Sequence, residues 1–366
     1  MLTIIIFIVV LSVLIFVHEL GHFVAAKASR MRVDEFAIGF PPRIFGKKRG
    51  ETLYAINALP IGGYVKIHGE DPNEQSESGP DSARSFSRRP KWMQFIVLIA
   101  GVSFNMIFAW LAISIGLLVG YPVPDGYLAN VPLTETHTVI NEIIENTPAA
   151  GSELAIGDEV VSVTDSSGVT TPTPRDQVLR DIIRASNNQP VALSIVRNQQ
   201  TQAIVLTPTL NEELGYPTVG IGLSTIGIAQ LGPIQSFVAG ARITYDMTFA
   251  VVDGLWTFVT RAFSGETEVL REVSGPVGIA RLVGDASAMG FSYLVSLTAL
   301  ISINLAVINI LPFPALDGGR LLFVIIESIS GWRVPVKFQN YANAFGLILL
   351  LGLMLIITVS DVFKLF

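Results

Sequence analysis

His18-Glu19-Leu20-Gly21-His22 lies inside an apolar N-terminal run: residues 2–17 carry no charge, and the run resumes at Phe23 and Val24. On a helix, histidines four residues apart share one face, so both imidazoles can bind a single Zn²⁺. Glu19 then stands beside the metal as general base for the attacking water. An ionised group near the centre of a lipid-spanning helix costs roughly 2.5–3.5 kcal/mol on insertion scales, so such groups mark function. Of the four histidines in the 366 residues, two are in this motif. The stretch reads as a membrane helix carrying part of a catalytic zinc site.

Composition points the same way. Half of the residues are hydrophobic and 15% are charged, against about 25% charged in typical soluble domains. Four stretches of little or no charge, 2–24, 93–119, 291–311 and 341–359, are long enough to cross a bilayer as helices. The chain has no cysteine, which excludes disulfides and thiolate ligands; a zinc site must use His, Asp or Glu. Ala26-Lys27-Ala28 imitates a signal cleavage site, but no Lys or Arg precedes the apolar run and cleavage would discard the motif. The first helix is expected to be retained.

Charge asymmetry orients these spans. Residues 27–91 hold 12 Lys/Arg against 8 Asp/Glu, a net of +4, whereas 121–233 hold 4 against 12, a net of −8. Basic residues near helix ends mark the cytoplasmic side, which places 27–91 and the loop 320–340 inside. The N-terminus and 121–233 fall outside. At about 1.5 Å per residue from Lys27, His22 and His18 sit roughly 7–14 Å into the membrane, so water must reach them from the cytoplasm.

Four divisions follow along the chain. Residues 1–120 form the first half of a membrane core; within them, 36–40, 52–56 and 62–67 are strand-like runs separated by turn residues. The region 36–68 is expected to form a small sheet beside the motif helix, dipping into the membrane interface where protein or a wet cavity covers its backbone. A polar, mobile loop is expected over 69–90. In the second span, Gly101-Val-Ser-Phe-Asn105 offers a small face for close packing on the motif helix, and Asn105 needs a partner there. Residues 121–233 read as a soluble α+β domain, with a turn into a short helix at 146–151, a helix over 175–185 and strands at 156–163, 190–196 and 202–207. The run 147–163, T-P-A-A-G-S-E-L-A-I-G-D-E-V-V-S-V, resembles the signature of PDZ domains, which accept a peptide strand at an edge; a domain that only shields the site is the alternative. In 234–290, Arg242, Asp246, Asp253 and Arg261 share one face of an amphipathic helix over 237–262, expected at the outer interface, a tilted fifth crossing being the alternative, with a Gly-Pro-Val-Gly loop after it. Residues 291–366 complete the core.

Two histidines do not complete a catalytic zinc site; a third protein ligand is required, with water at the fourth position. Asp34, Glu35 and Glu51 are near in sequence but belong outside the bilayer. Asp317 is the better candidate, in Asn309-Ile-Leu-Pro312-Phe-Pro314-Ala-Leu316-Asp317-Gly318-Gly319. There two prolines end the third span and two glycines permit a turn that aims a carboxylate back at the membrane. An Asp that merely caps a helix is the alternative.

The pairing of F-V-H-E-L-G-H with N-x-L-P-x-P-x-L-D-G-G resembles the site-2 protease family of intramembrane zinc metalloproteases, and Gly62-Gly63-Tyr64-Val65-Lys66 and Ser274-Gly275-Pro276-Val277-Gly278 match its bacterial members. The resemblance implies one Zn²⁺ per chain on His18, His22 and Asp317, with Glu19 as the base. It implies that Asn304 and Asn309 hold the substrate backbone, and that 36–68, with Gly62, Gly63 and Tyr64, is a membrane-associated hairpin that pairs with unwound substrate. It further implies a multi-pass protein of the bacterial inner membrane with an extracytoplasmic PDZ-like domain; 121–233 has room for one where Gram-negative members carry two. The implied partners are the bilayer and single-span proteins already trimmed by another protease, such as anti-sigma factors or signal-peptide remnants; no nucleic acid is expected. The rival function is a metal or proton transporter with a peptide-sensing domain. It leaves the glutamate directly after the first histidine unexplained, and no internal repeats are visible.

Overall fold

The computed structural model describes residues 2–70, 79, 81–129, 131–144, 146–197, 200–211, 214–265 and 273–363. It divides into two compact units, 1–116 with 234–366, and 117–233.

In the first unit, α1 (Leu2–Ala28) and α2 (Lys91–Val119) bracket two long bent strands, β1 (Val33–Arg49) and β2 (Thr52–Ile67). The later helices of this unit are α4 (Pro233–Phe263), α5 (Pro276–Met289), α6 (Phe291–Ile310), α7 (Asp317–Ser330) and α8 (Val336–Phe363). Among the described residues, α1, α2, α6 and α8 are long and apolar enough to cross a membrane. They coincide with the four apolar stretches of the sequence and extend them at several ends.

The sheet beside α1 is more than a hairpin. Glu35–Ile38 lies between Leu53–Ile56 on one side and Gly63–Lys66 on the other, while Arg43–Arg49 pairs along Thr52–Asn57 as an outer edge. The three expected runs are all present; Arg43–Arg49 is an unforeseen fourth. Phe36 stands at the middle, its ring 5.8 Å from that of Phe16 and 5.1 Å from that of Phe23. Those contacts fix the sheet to α1 by burying aromatic area on the face it shares with the helix. Of the polar stretch 69–90, residues 71–78 and 80 lie outside the described residues, and 82–84 and 86–88 are 3₁₀ turns.

The Gly-Pro-Val-Gly segment corrects an expectation. It is not a loop but the start of α5, with Gly275 as N-cap and Pro276 in the first turn. Proline suits that place because its missing N–H would have no helical partner. The Gly278 N–H donates to Asp361 of α8 at 2.8 Å, a carboxylate at a helix N-terminus. α4 follows α2 in the opposite direction: Phe237 lies against Trp110, Gly240 over Ser114, and Thr248 beside Met106.

The second unit is built on one sheet of β3 (Tyr121–Pro124), β4 (Thr134–Ile143), β5 (Glu159–Thr164), β6 (Thr170–Pro172), β7 (Val191–Arg197), β8 (Gln200–Leu206) and β11 (Ile221–Ala229). The order is β3-β11-β4-β5-β7-β8, with β6 paired to β5. β9 (Thr209–Asn211) and β10 (Tyr216–Thr218) form a separate small ladder. Leu179 and Ile183 of α3 (Asp176–Ala185) pack on Ile140, Val160, Leu193 and Ile195 of the sheet. The turn expected at 146–151 is present, but among the described residues no short helix follows it before β5.

Glu51, at the β1–β2 turn, receives Lys27 at 2.8 Å and both terminal guanidinium nitrogens of Arg84 at 2.7 Å. First Arg84 and then Lys27 hold its carboxyl down to about 2 from 4.5. A depressed folded-state pKa stabilises above the unfolded value and is lost as pH falls through the folded one. Glu51→Gln should lower thermal stability at pH 7 by at most about 1 kcal/mol, since the cluster is partly open to solvent. The gap to the native protein should narrow below pH 4.5 and vanish near pH 2, with zinc content unchanged at neutral pH. Differential scanning fluorimetry across that range, with metal analysis, checks it.

Candidate metal centre

α1 presents His18 and His22 to α2, each only 8% exposed. The approach is possible because two glycines meet. A Cβ on Gly21 would lie 2.4 Å from the Ala100 carbonyl oxygen, and one on Gly101 would lie 2.4 Å from His22 Nε2 and 2.8 Å from His18 Cε1. Both imidazoles therefore occupy the space where any other residue at 101 would carry its side chain. His22 Nδ1–H donates to the Val97 carbonyl at 2.8 Å, so its Nε2 carries the free lone pair, beside Gly101 and 3.2 Å from His18 Nε2. The Asn105 side-chain amide is 3.3 Å from His18 Nδ1.

Asp317 comes from the other end of the chain. α6 stops at Ile310, and Pro312-Phe313-Pro314-Ala315 turns the chain back, with the Ala315 N–H bonded to Asn343 of α8 at 3.2 Å. α7 then begins tight against the end of α6: a Cβ on Gly318 would sit 2.1 Å from the Leu311 carbonyl, and one on Gly319 2.4 Å from that of Phe313. Asp317 opens α7 just after the N-cap Leu316, where an acidic side chain could serve its own helix terminus. Its Oδ2 instead lies 2.9 Å from His18 Nε2 and 3.2 Å from His22 Nε2, across separations of 299 and 295 residues. Among the described residues, these three form the group of ligand-type side chains able to hold a metal ion, their donor atoms all within 4.8 Å of one another. Two imidazoles and one carboxylate, with no thiolate, are a donor set suited to catalytic zinc.

The other sequence-predicted residues spread around this cluster. Glu19 lies within electrostatic reach of His22, His18, Asp317 and Glu70, and a Cβ on Gly63 would be 3.6 Å from its Cγ. Gly62 is covered by the Phe40 ring, and Tyr64 stacks on Phe40 at 6.5 Å between centroids. The Asn304 amide donates to the Leu300 carbonyl of its own helix at 3.0 Å, and Asn309 is partly exposed near the end of α6. Asp34 pairs with Arg32, Glu35 with Arg43, and Glu51 with Lys27 and Arg84, so none of the three joins the histidines. Sequence reasoning missed Glu70, whose carboxylate pairs with Arg320 one turn after Asp317.

The family model of peptidase family M50 matches residues 6–353. The chain belongs to peptidase family M50. A Fusobacterium nucleatum protein whose name places it among the zinc metalloproteases is 33% identical over 364 residues, covering 100% of this chain and 99% of its own. A similarly named Clostridium perfringens protein is 34% identical over 351 residues, 96% of each chain. A Bacillus subtilis protein named regulator of sigma-W protease is 28% identical over 443 residues, 100% of this chain and 99% of its own. A solved PDZ domain from Listeria innocua is similar to 24% of this chain and 92% of its own, at 20% identity and a TM-score of 0.21, too low to speak to fold. The M50 chain is thus a zinc metalloprotease of the membrane, which sets the transporter aside.

The crowding at Gly101 has a direct consequence. In Gly101→Ala the imidazoles must give way, and the displacement breaks their convergence on Asp317; overpacking of this kind costs about 1–3 kcal/mol. Zinc affinity should fall by roughly tenfold or more while the helices still assemble. Metal analysis of the purified variant checks it, and a native zinc content would contradict it.

Proposed function

We propose that the enzyme hydrolyses peptide bonds within membrane-spanning segments of single-span proteins, with His18, His22 and Asp317 holding zinc and Glu19 moving the proton. The observation that carries this reading is the convergence of His18 Nε2, His22 Nε2 and Asp317 Oδ2 from opposite ends of the chain. Zinc, when bound, supplies Lewis acidity that polarises the scissile carbonyl and makes water acidic enough to attack at neutral pH. Glu19 takes the proton from the attacking water and returns it to the departing amine nitrogen.

A helical substrate hides its carbonyls in internal hydrogen bonds, so it must unwind before attack, and its freed groups need partners. The strand Gly62–Lys66, which passes Glu19 at Gly63, supports a role in pairing with the opened substrate. Asn309, near the end of α6, can contribute an amide; Asn304 can do so only by giving up its bond to Leu300. Water access is supported by a cavity of about 300 Å³ lined by Glu70, Lys91, Gln94, Arg320 and Glu327, which reaches the turn of α7 that follows Asp317. We assign 27–91 to the cytoplasmic face, and 121–233 to the outer face as a PDZ-like domain. Anti-sigma factors trimmed outside by another protease fit the substrate class, in line with the name of the Bacillus subtilis relative.

Glu19→Gln should keep stoichiometric zinc and abolish cleavage of a co-expressed trimmed single-span substrate, a loss of at least about 10²-fold as for removal of a general base. Retention of native cleavage contradicts the assignment. We read the outer domain as a size gate that bars substrates with bulky external domains, so deletion of 124–228 should permit cleavage of an untrimmed substrate, while point changes along its PDZ-like peptide-binding edge should have smaller effects. A deleted enzyme that cuts only the trimmed substrate, at the native rate, contradicts the size gate.

A further inference from the structure

Asn105 of α2 is fully buried, its side-chain nitrogen faces His18 Nδ1 at 3.3 Å, and its side-chain oxygen has no partner. An amide half-turn exchanges the two ends. The choice between them is coupled to the state of His18. With the amide donating, Nδ1 must be the acceptor, so the neutral ring carries its proton on Nε2, where Asp317 Oδ2 receives it at 2.9 Å. A metal on Nε2 displaces that proton. The neutral ring must then hold its proton on Nδ1, and among the described residues the group facing that N–H is the Asn105 amide, which must present its oxygen.

His22 has no such choice. Its Nδ1 faces a main-chain carbonyl, which can only accept, so its Nε2 is fixed as the free donor atom whether or not metal is present. The two histidines thus differ in kind: one is oriented by backbone, the other by a side chain that can turn. The main chain at Asn105 is itself held, since Ser302 of α6 donates to its carbonyl at 2.9 Å, which keeps the amide opposite His18.

We propose that Asn105 is a positioning residue for the metal centre: by accepting a hydrogen bond from His18 Nδ1–H it fixes the ring form whose Nε2 binds zinc. This rests on the assignment of His18 as a ligand. Partners that orient a metal-binding imidazole are worth roughly 10–100-fold in metal affinity, and the residue touches neither substrate nor reacting atoms.

The test uses full-length protein in detergent, stripped of metal, with zinc affinity measured by competition against a chromophoric chelator and thermal melting followed with and without zinc. N105L fills similar space but cannot accept a bond; it should bind zinc roughly 10–100-fold more weakly, with the metal-free melting temperature unchanged and the zinc-induced rise reduced. N105D keeps an accepting oxygen in either protonation state, so it should bind zinc within a few-fold of the native protein. Native affinity in N105L overturns the proposal, as does an equal loss in both variants. If N105L does not fold, N105D decides alone: retained zinc supports the accepting role and lost zinc overturns it. H18A separates the underlying assignment, because zinc retained there removes His18 as a ligand, whereas zinc lost there but kept in N105L removes only the role of Asn105.

Discussion

Backbone-to-backbone contact between α1 and α2 is the constraint on which the site depends. Gly21 against Ala100, and Gly101 under both imidazoles, bring the two helices closer than side chains would permit. In an apolar surround there is little hydrophobic drive for helices to associate, so small residues and buried polar partners set where they meet. Here the polar groups are functional ones. His22 takes the Val97 carbonyl, His18 takes Asn105, and both are thereby turned so that their remaining nitrogens converge over Gly101.

That arrangement has a consequence for the other half of the chain. Two buried imidazoles aimed at one point leave a position that a carboxylate can fill, and the Pro-Phe-Pro turn followed by Gly318-Gly319 delivers Asp317 there. The same stretch is tied down further along. Arg320 pairs with Glu70 beyond the sheet, and Glu327 receives Lys91 of α2, the Val334 N–H and Gln339 of α8. Truncating one member of such a part-buried network leaves its partner charge exposed to an apolar neighbourhood, which costs more than the pair itself contributes. The polar end of the helical unit thus positions α7, and α7 positions Asp317.

Much of this was legible in the sequence for local reasons. The four apolar stretches and the spacing of His18 and His22 need only the periodicity of one helix. Asp317 could be selected because its prolines and glycines announce a turn at the end of a span. What escaped reading lay in exposed strand or in partners distant in sequence. Arg43–Arg49 was not among the strand-like runs because it is an outer strand, exposed along its length, with Pro41 and Pro42 before it. Gly275-Pro276-Val277-Gly278 looked like a loop because glycine and proline mark turns, yet proline is also at home in the first turn of a helix, and Asp361 lies far away in sequence. Asn105 was expected to need a partner across the interface, but that the partner is His18 could be seen only with both helices in place.

The most direct test of the central claim is X-ray absorption at the zinc edge on the purified protein. The account predicts two imidazole nitrogens at about 2.0–2.1 Å with the remaining ligands oxygen, and one imidazole fewer in His22→Ala. A spectrum requiring three imidazoles, which would have to recruit His68 or His137, or one unchanged by that substitution, would contradict it.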